Sequence, residues 1–372
     1  MTARKTERTD LLPIGLEDRL PASAQRITNA MRNCLTVLEL HGYARVRPPL
    51  LEFESSLASR MQGVSTERTF RMTDPASLRT LALRSDITPQ IGRIAATSMG
   101  DAPRPLRLAY CGDTAVIAAS QLDPARERLQ LGAELIGSDS VAAAGEIIAV
   151  ALEALDHAGL TGLSVDFTLP DLVEALSGQD DAYSPAKLDA IRKELDTKDA
   201  GGLKTVGGEA FLPLLYATGP FAEAIDKLRA IDSDGLLASR LDGLEAIAAR
   251  IGDAARITLD PTERHGFEYQ SWFGFTIYAT DVRGAAGRGG TYKIGGSDEA
   301  ASGFTLYVDR LAEGAPAPHA VETLYLPLGH DREAAGQYRN QGWVTIAQLA
   351  QGEDPAALGC SHILDGVDLR EL

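Results

Sequence analysis

The segment 128–136 carries two polar side chains that can act on one ligand. It alternates as a strand, and Gln130 and Glu134 in QLGAE stand four residues apart. Residues four apart on a strand face the same way, so both side chains can point into one pocket. Their oxygens accept hydrogen bonds and suit a ligand that donates them. Taken alone, the residue types of Glu134 and Asp86 favour surface or ion-paired carboxylates.

Other segments that could carry chemistry favour structural interpretations. The glycine-rich run 284–296 predicts a flexible loop, since a phosphate cradle requires backbone N–H groups that converge at a helix N-terminus. No GxGxxG or GxxxxGK[ST] motif follows a predicted strand. Cys34, Cys111 and Cys360 lack metal-binding spacing, which predicts reduced thiols in or near the core. The sequence therefore predicts neither a metal nor a cofactor.

Apolar spacing predicts the elements that position these residues. Many strands are separated by irregular connections, which favours an α+β fold with an antiparallel sheet over a doubly wound one. The segment 171–251 has helical periodicity with several Gly and Pro breaks. The predicted helices are 22–41, 89–98, 140–157, 308–313, 332–340 and one near 354–358, and the predicted strands are 43–46, 69–73, 78–83, 106–111, 128–136, 163–169, 256–259, 267–281, 292–294, 304–307, 324–327 and 343–346.

The charge balance restricts the class of partner. The chain has 372 residues, 44% of them hydrophobic, and a net charge of −16. An acidic surface disfavours binding to a nucleic-acid backbone, which requires clustered Lys and Arg. The N-terminal residues lack the apolar segment of a signal peptide, and no apolar run approaches the roughly 18–20 residues of a membrane span. The sequence predicts a soluble cytoplasmic protein that contacts neither membrane nor nucleic acid.

Several segments, in a fixed order, resemble the histidyl-tRNA synthetase family of class II aminoacyl-tRNA synthetases. ARVRPPLLEF resembles motif 1, PLRLAYCGDTAVIAASQLDPARERLQLGAELIG covers motif 2, and ASGFTLYVDRL resembles motif 3. GFEYQSWFGFTIYA resembles the histidine-specific strand. LALRSDITPQIGRIAA is most similar to the branch of the family that regulates ATP phosphoribosyltransferase. The matches span roughly residues 11–311.

The resemblance implies an architecture for the whole chain. It implies a class II aminoacyl-tRNA synthetase-like antiparallel sheet flanked by helices, with a core at 1–170 and 252–313. A helical insertion at 171–251 interrupts this core. The remaining residues, 319–372, form a small C-terminal α/β remnant, shorter than the roughly 100 residues of a complete domain. The motif 1 segment implies at least a homodimer.

The resemblance also implies that synthetase chemistry is lost. Adenylation develops charge on a phosphorus centre, and a preorganised donor placed there is worth about 10²–10³ in rate. At the motif 2 arginine this chain has Val116, and at the motif 2 glutamate it has Ala118. His265 replaces the arginine before the histidine-specific strand, and Gly-Gly-Thr-Tyr-Lys at 289–293 replaces G-G-R-Y-D. Arg310, the motif 3 arginine, remains.

The residues that hold the amino acid in this family are largely retained. Matching by motif implies a histidine site formed by six side chains, Asp86, Thr88, Gln130, Glu134, His265 and Tyr269. Gln270 replaces the second tyrosine of the family pair. The resemblance implies a regulatory subunit that is not itself an enzyme. Its implied partners are the short-form catalytic subunit of ATP phosphoribosyltransferase, L-histidine and a second copy of this chain.

Two other functions remain open from the sequence. One is a histidyl-tRNA synthetase, and the other is a further synthetase paralogue that retains adenylation. Arg310 can act at a nucleotide site or as an ion-pair partner, and His265 alone is more often structural. The apolar Val116 and the short tail favour the regulatory interpretation.

Overall fold

The computed structural model describes residues 12–58, 69–118, 124–178, 183–264, 270–316 and 321–372. The chain divides into two compact units, Met1–Pro316 and Ala317–Leu372. The helices are α1 (Pro21–Leu40), α2 (Glu54–Ala58), α3 (Thr88–Ala96), α4 (Val141–His157), α5 (Leu172–Ser177), α6 (Pro185–Asp196), α7 (Ala200–Thr205), α8 (Phe221–Ile231), α9 (Ala238–Ile251), α10 (Val308–Gly314) and α11 (Arg332–Asn340).

Within the described ranges, nine strands of the first unit form one sheet in the order β1-β5-β6-β12-β11-β10-β7-β9-β8. Pairing is antiparallel except between β1 and β5 and between β7 and β9. A second sheet in this unit has the order β2-β4-β3. The strands are β1 (Ala44–Arg45), β2 (Leu51–Phe53), β3 (Arg71–Thr73), β4 (Thr80–Leu83), β5 (Leu106–Ala115), β6 (Glu127–Ile136), β7 (Ser164–Thr168), β8 (Gly219–Pro220), β9 (Arg256–Leu259), β10 (Gln270–Tyr278), β11 (Gly287–Lys293) and β12 (Ala300–Tyr307).

Helices α1 and α4 bury one face of the large sheet. Helix α4 begins at the N-cap Ser140, whose side chain accepts a hydrogen bond from Ala143 N. Its Ala, Ile, Val and Leu side chains join the core formed by alternate residues of β6, such as Leu131 and Ala133. Helix α1 ends at Leu40, and Gly42, two residues later, has the positive φ of 78° that suits the left-handed position after a helix.

Helix α3 covers part of the opposite face. Ile87 and Ile91 pack there against Leu108 and Tyr110 of β5. Because alternate residues of a strand face opposite sides, this face also presents Gln130 and Glu134 of β6. The predicted α+β fold is confirmed, as is the helical character of 171–251, which in addition contributes the short strand β8.

Two predictions of local structure are wrong. The glycine-rich run was expected to be a loop, yet Gly287–Lys293 forms strand β11 inside the large sheet. Sheet pairing on both sides stabilises β11 in spite of the low strand preference of glycine. In the second unit, the helix expected near 354–358 is a series of turns that ends at Gly359 with φ of 78°.

The second unit has its own small core. Its sheet has the order β14-β13-β15-β16 in the part of the unit that the structure describes, and the last two strands were not predicted. Leu324, Leu326 and Leu364 pack against Ala334 and Ala335 of α11. No helix in the described ranges of either unit is long and apolar enough to cross a bilayer. The strands are β13 (Thr323–Leu326), β14 (Val344–Ala347), β15 (His362–Asp365) and β16 (Asp368–Glu371).

Candidate functional site

Glu134 lies near the middle of the large sheet and is only 1% exposed. Its Oε1 accepts hydrogen bonds from the hydroxyls of Thr88 (3.1 Å) and Tyr110 (3.2 Å). Its Oε2 accepts a hydrogen bond from the Tyr292 hydroxyl at 2.8 Å. Burial raises the pKa of Glu134 to about 8, although these hydroxyls oppose the rise. The carboxyl group is therefore fixed in position, and a cation placed beside it would favour its ionised form.

Gln130 links this carboxyl to the turn that precedes α3. Its Nε2 donates to Asp86 Oδ1 at 2.6 Å and to Thr305 Oγ1 at 3.0 Å, and its Oε1 accepts from Ile87 N at 2.9 Å. The Thr305 hydroxyl lies 2.8 Å from the Tyr110 hydroxyl. A continuous hydrogen-bonded network therefore joins Asp86 to Glu134 through three intervening side chains. Burial also raises the pKa of Asp86.

The structure brings together four of the six residues predicted for the site. Asp86, Thr88, Gln130 and Glu134 belong to the one network, although 46 residues separate Thr88 from Glu134 along the chain. The interpretation of Glu134 as a surface carboxylate is wrong, because the side chain is buried and hydrogen-bonded. His265 and Tyr269 lie outside the described residues.

Glycines make room for this network. Gly132, between Gln130 and Glu134 on the same face, pairs with Tyr110, and a Cβ there would collide with the tyrosine hydroxyl. Gly303 pairs with Glu134, and a Cβ there would collide with the carboxylate. These two glycines are therefore required where they stand, because any larger residue would displace a hydroxyl or the carboxylate.

On the three strands that follow β6 across the sheet, the residues in register with Glu134 are all glycines. Gly303 pairs with Gly290 on β11, and Gly290 pairs with Gly274 on β10. The sheet surface is thus free of side-chain stems over three adjacent strands. The Gln270 side chain lies across the far end, where its Nε2 donates to the Gly289 carbonyl at 2.8 Å. We call this surface, formed by Gly303, Gly290 and Gly274, the glycine floor.

A pocket opens over the glycine floor beside Glu134. Its empty volume is about 290 Å³, part of which is open solvent. Glu134 and Arg288 are the charged groups among the described side chains that line it. Its lining residues are Thr88, Glu134, Gln270, Arg288, Gly289, Gly290, Tyr292, Gly303, Phe304 and Thr305. The lining therefore offers one acidic and one basic side chain to a small ligand.

Sequence reasoning did not assign a role to Tyr110, Thr305 or Arg288. What these residues share is their place in one row of paired residues across the sheet. Tyr110 pairs with Gly132, Gly132 with Thr305, and Thr305 with Arg288. Paired residues share a face, so this row accompanies the glycine floor. The register of four strands is needed before the row can be seen.

Val116 and Arg310 are the positions that the family resemblance links to ATP chemistry. Val116 follows strand β5, and Arg310 lies in α10, which follows strand β12. The Val116 N–H donates to the Arg126 carbonyl at 2.8 Å while Arg126 Nε donates back to the Val116 carbonyl at 3.2 Å. Arg310 lies in the first turn of α10, and its Nη1 donates a hydrogen bond to the Ala285 carbonyl at 3.2 Å. Arg264, which directly precedes His265 in the sequence, lines a separate depression that shares no lining residue with the Glu134 pocket.

The cysteines have no role in the site. Cys34 and Cys360 are buried and Cys111 is half-buried, as the core-thiol interpretation predicted. Among the residues that the structure describes, no group of three or more His, Cys, Asp or Glu side chains is arranged to hold a metal ion.

A family model and two relatives of this chain point to the same group of proteins. The histidyl-tRNA synthetase family model matches residues 15–311. The ATP phosphoribosyltransferase regulatory subunit of Paramagnetospirillum magneticum is 39% identical, over 96% of this chain and 97% of that protein. The subunit of the same name from Rhodospirillum centenum is 37% identical, over 97% and 96% respectively.

Solved structures agree with this grouping. An ATP phosphoribosyltransferase regulatory subunit/histidyl-tRNA synthetase from Bacillus halodurans superposes with a TM-score of 0.80 at 26% identity, covering 96% of this chain and 97% of that one. A histidyl-tRNA synthetase from Nostoc has a TM-score of 0.74 at 14% identity, covering 95% and 90%, and supports the fold alone. Fold and site define a class II aminoacyl-tRNA synthetase-like protein of the histidyl type. Within that class, the chain belongs to the family of ATP phosphoribosyltransferase regulatory subunits.

Proposed function

We propose that this chain binds the short-form catalytic subunit of ATP phosphoribosyltransferase, is required for its activity in the first step of histidine biosynthesis, and transmits feedback by L-histidine. The observation that carries the proposal is the buried network around Glu134, retained in a chain whose motif 2 segment has Val116 where an arginine is expected. Such a protein keeps the means to recognise an amino acid and lacks a charge needed to activate it.

The pocket around Glu134 is the proposed histidine site. Acceptor groups on Asp86, Thr88, Gln130 and Glu134 suit the ammonium group and the imidazole N–H of histidine. The family resemblance adds His265 and Tyr269 to the same site. The raised pKa of Glu134 supports this role, because a cationic ligand would favour the ionised carboxylate and gain a charged hydrogen bond.

Ligand binding would regulate only if it favours one state of the complex over another. Helix α3 offers a physical connection, since Thr88 at its first turn contacts Glu134. Two residues along, Gln90 Nε2 donates to the Pro49 carbonyl at 2.8 Å and to Glu52 Oε1 at 3.0 Å. A shift of α3 on ligand binding would therefore move the motif 1 segment, which the resemblance assigns to the subunit interface.

The assembly follows from the same proposal. The synthetase-like core at 1–170 and 252–313 would form at least a homodimer through motif 1, with 171–251 as an insertion and 319–372 as a remnant domain. Exposed leucines at both ends of α1, Leu20 at 61% and Leu40 at 79%, support an interface there. The net charge of −16 supports a protein partner rather than nucleic acid.

Co-expression with the short catalytic subunit tests the proposal. We expect the two chains to co-purify, the catalytic subunit to need this chain for full phosphoribosyl transfer, and L-histidine to inhibit the pair. A catalytic subunit equally active alone would overturn the activation role. Activity of the pair that does not respond to histidine would overturn the feedback role while leaving the assembly standing.

A further inference from the structure

We propose that Arg288 binds the carboxylate of the amino acid in the Glu134 pocket and thereby selects for an intact α-amino acid. The inference rests on the histidine site of the proposed function. It assigns a residue to the anionic half of the ligand, where His265 replaces the arginine that the family resemblance would lead one to expect.

The register of the sheet places Arg288 on the ligand side. Arg288 of β11 pairs with Thr305 of β12, and Thr305 pairs with Gly132 of β6. Directly paired residues share a face, and Gly132 lies between Gln130 and Glu134 on theirs. The Arg288 side chain therefore leaves the sheet on the face that carries the glutamate network.

The spacing suits a zwitterion. Strand β12 separates β6 from β11, so Glu134 and Arg288 emerge about 10 Å apart across the strands. Gly303 and Thr305 lie on the intervening strand β12, and Gly303 has no side chain. Glu134 and Arg288 both line the pocket that opens over the glycine floor. A ligand that rests on it can present an ammonium or imidazole group to Glu134 and a carboxylate to Arg288.

Other arginines of this region have different positions. Arg128 pairs with Asp309 at 2.8 Å, Arg310 donates to the Ala285 carbonyl, and Arg264 lines a separate depression. Arg288 is the arginine among the described pocket-lining residues. A guanidinium is well matched to this task, because its planar fork can donate two parallel hydrogen bonds to a carboxylate.

Isothermal titration of the full-length chain with two probes tests the proposal. L-Histidine has the carboxylate, whereas L-histidinol has a hydroxymethyl group in its place. We expect Arg288→Gln to weaken histidine binding about 10–100-fold, the value of a charged hydrogen-bonding partner, and to change histidinol binding less than about threefold. Arg288→Lys should recover part of the loss, since it restores the charge without the fork.

Lys293→Gln is the matched control. It removes one positive charge from the same strand. Lys293 is five residues from Arg288 and so faces the other side of the sheet, and its side chain is 60% exposed. It should leave both affinities unchanged. Thermal unfolding of each variant reports whether the fold is intact.

The outcomes separate two failures. Histidine binding that survives Arg288→Gln, or an equal loss of histidine and histidinol, would overturn the role of Arg288 while the histidine site stands. No binding of histidine by the unaltered chain would overturn the proposed histidine site, and the role of Arg288 with it.

Discussion

The two ends of the β5–β6 pair differ in chemistry although the same two strands build them. At one end, Glu134 is buried and accepts hydrogen bonds from three hydroxyls. At the other, the apolar Val116 and the 45% exposed Ile117 follow β5, and the backbone of Val116 is hydrogen-bonded to both the backbone and the side chain of Arg126. The polar groups thus cluster around Glu134, and Val116 offers no side-chain donor.

The difference has an energetic meaning. A buried carboxyl whose pKa is raised to about 8 disfavours the charged form, so the polar end costs stability near neutral pH. The apolar end at Val116 carries no comparable cost. Replacing Glu134 alone by an apolar residue would leave the hydroxyls of Thr88, Tyr110 and Tyr292 without their shared acceptor.

The largest expected effect concerns the apolar end. Because Val116 has no hydrogen-bond donor, we expect histidine-dependent ATP–pyrophosphate exchange at least about 10²–10³-fold slower than that of a histidyl-tRNA synthetase assayed in parallel. Exchange at a rate close to the synthetase control would contradict the comparison and restore the enzyme interpretation.

At the polar end, we expect Glu134→Ala to raise the histidine concentration for half-inhibition of the complex about 10–100-fold, because a charged hydrogen-bonding partner is removed. Assembly with the catalytic subunit should persist, as size-exclusion chromatography would report. Glu127→Ala is the control on the same strand, since Glu127 is exposed and seven residues away, on the other face. Equal histidine sensitivity in both variants would show that the pocket is misassigned.

The pH dependence of stability sharpens the same comparison. The pKa of Glu134 rises from 4.5 to about 8 on folding, so the folded state holds this proton more tightly than the unfolded state. This contribution to stability is complete below pH 4.5 and is lost as the pH rises through 8. Glu134→Gln cannot titrate. Relative to that variant, the unaltered chain should lose up to about 1.4 kcal/mol per pH unit within this window.

Urea unfolding at pH 6 and pH 7 measures this difference. The free energy of unfolding of the unaltered chain should fall, relative to that of Glu134→Gln, by an amount equivalent to about tenfold in the folding equilibrium. If the difference in unfolding free energy between the unaltered chain and Glu134→Gln is the same at both pH values, Glu134 is ionised throughout. The stability cost assigned to the buried carboxyl would then be wrong.

The smallest expected effect lies away from both ends, at the proposed dimer interface. Leu35 packs partly against the core, so its replacement would disturb folding, whereas Leu40 is 79% exposed. We expect Leu40→Asp to weaken the dimer at least about fivefold, by light scattering over a dilution series. Leu349→Asp, at a leucine 88% exposed in the second unit, is the control. An unaffected dimer would remove α1 from the interface.

Local pattern accounted for much of the fold. Helices α1 and α4 were predicted within one residue at each end, because their apolar residues recur at helical spacing and Gly42 and Gly159 follow them. The shared face of Gln130 and Glu134 followed from their separation on one strand. Strand β11 was predicted only at its C-terminal end, as 292–294, because glycine is depleted in strands and three of its seven residues are glycines.

By itself, the sequence determined the family, the helices and the polar pair on β6, since these depend on residue types and spacings along a single segment. Only the tertiary structure decided that Tyr110, Tyr292 and Thr88 all meet Glu134, and that glycines on three strands form one floor. Those relations depend on register between strands far apart in the chain. A side chain's partners across a sheet are set by which residues pair, which spacing along one strand does not record.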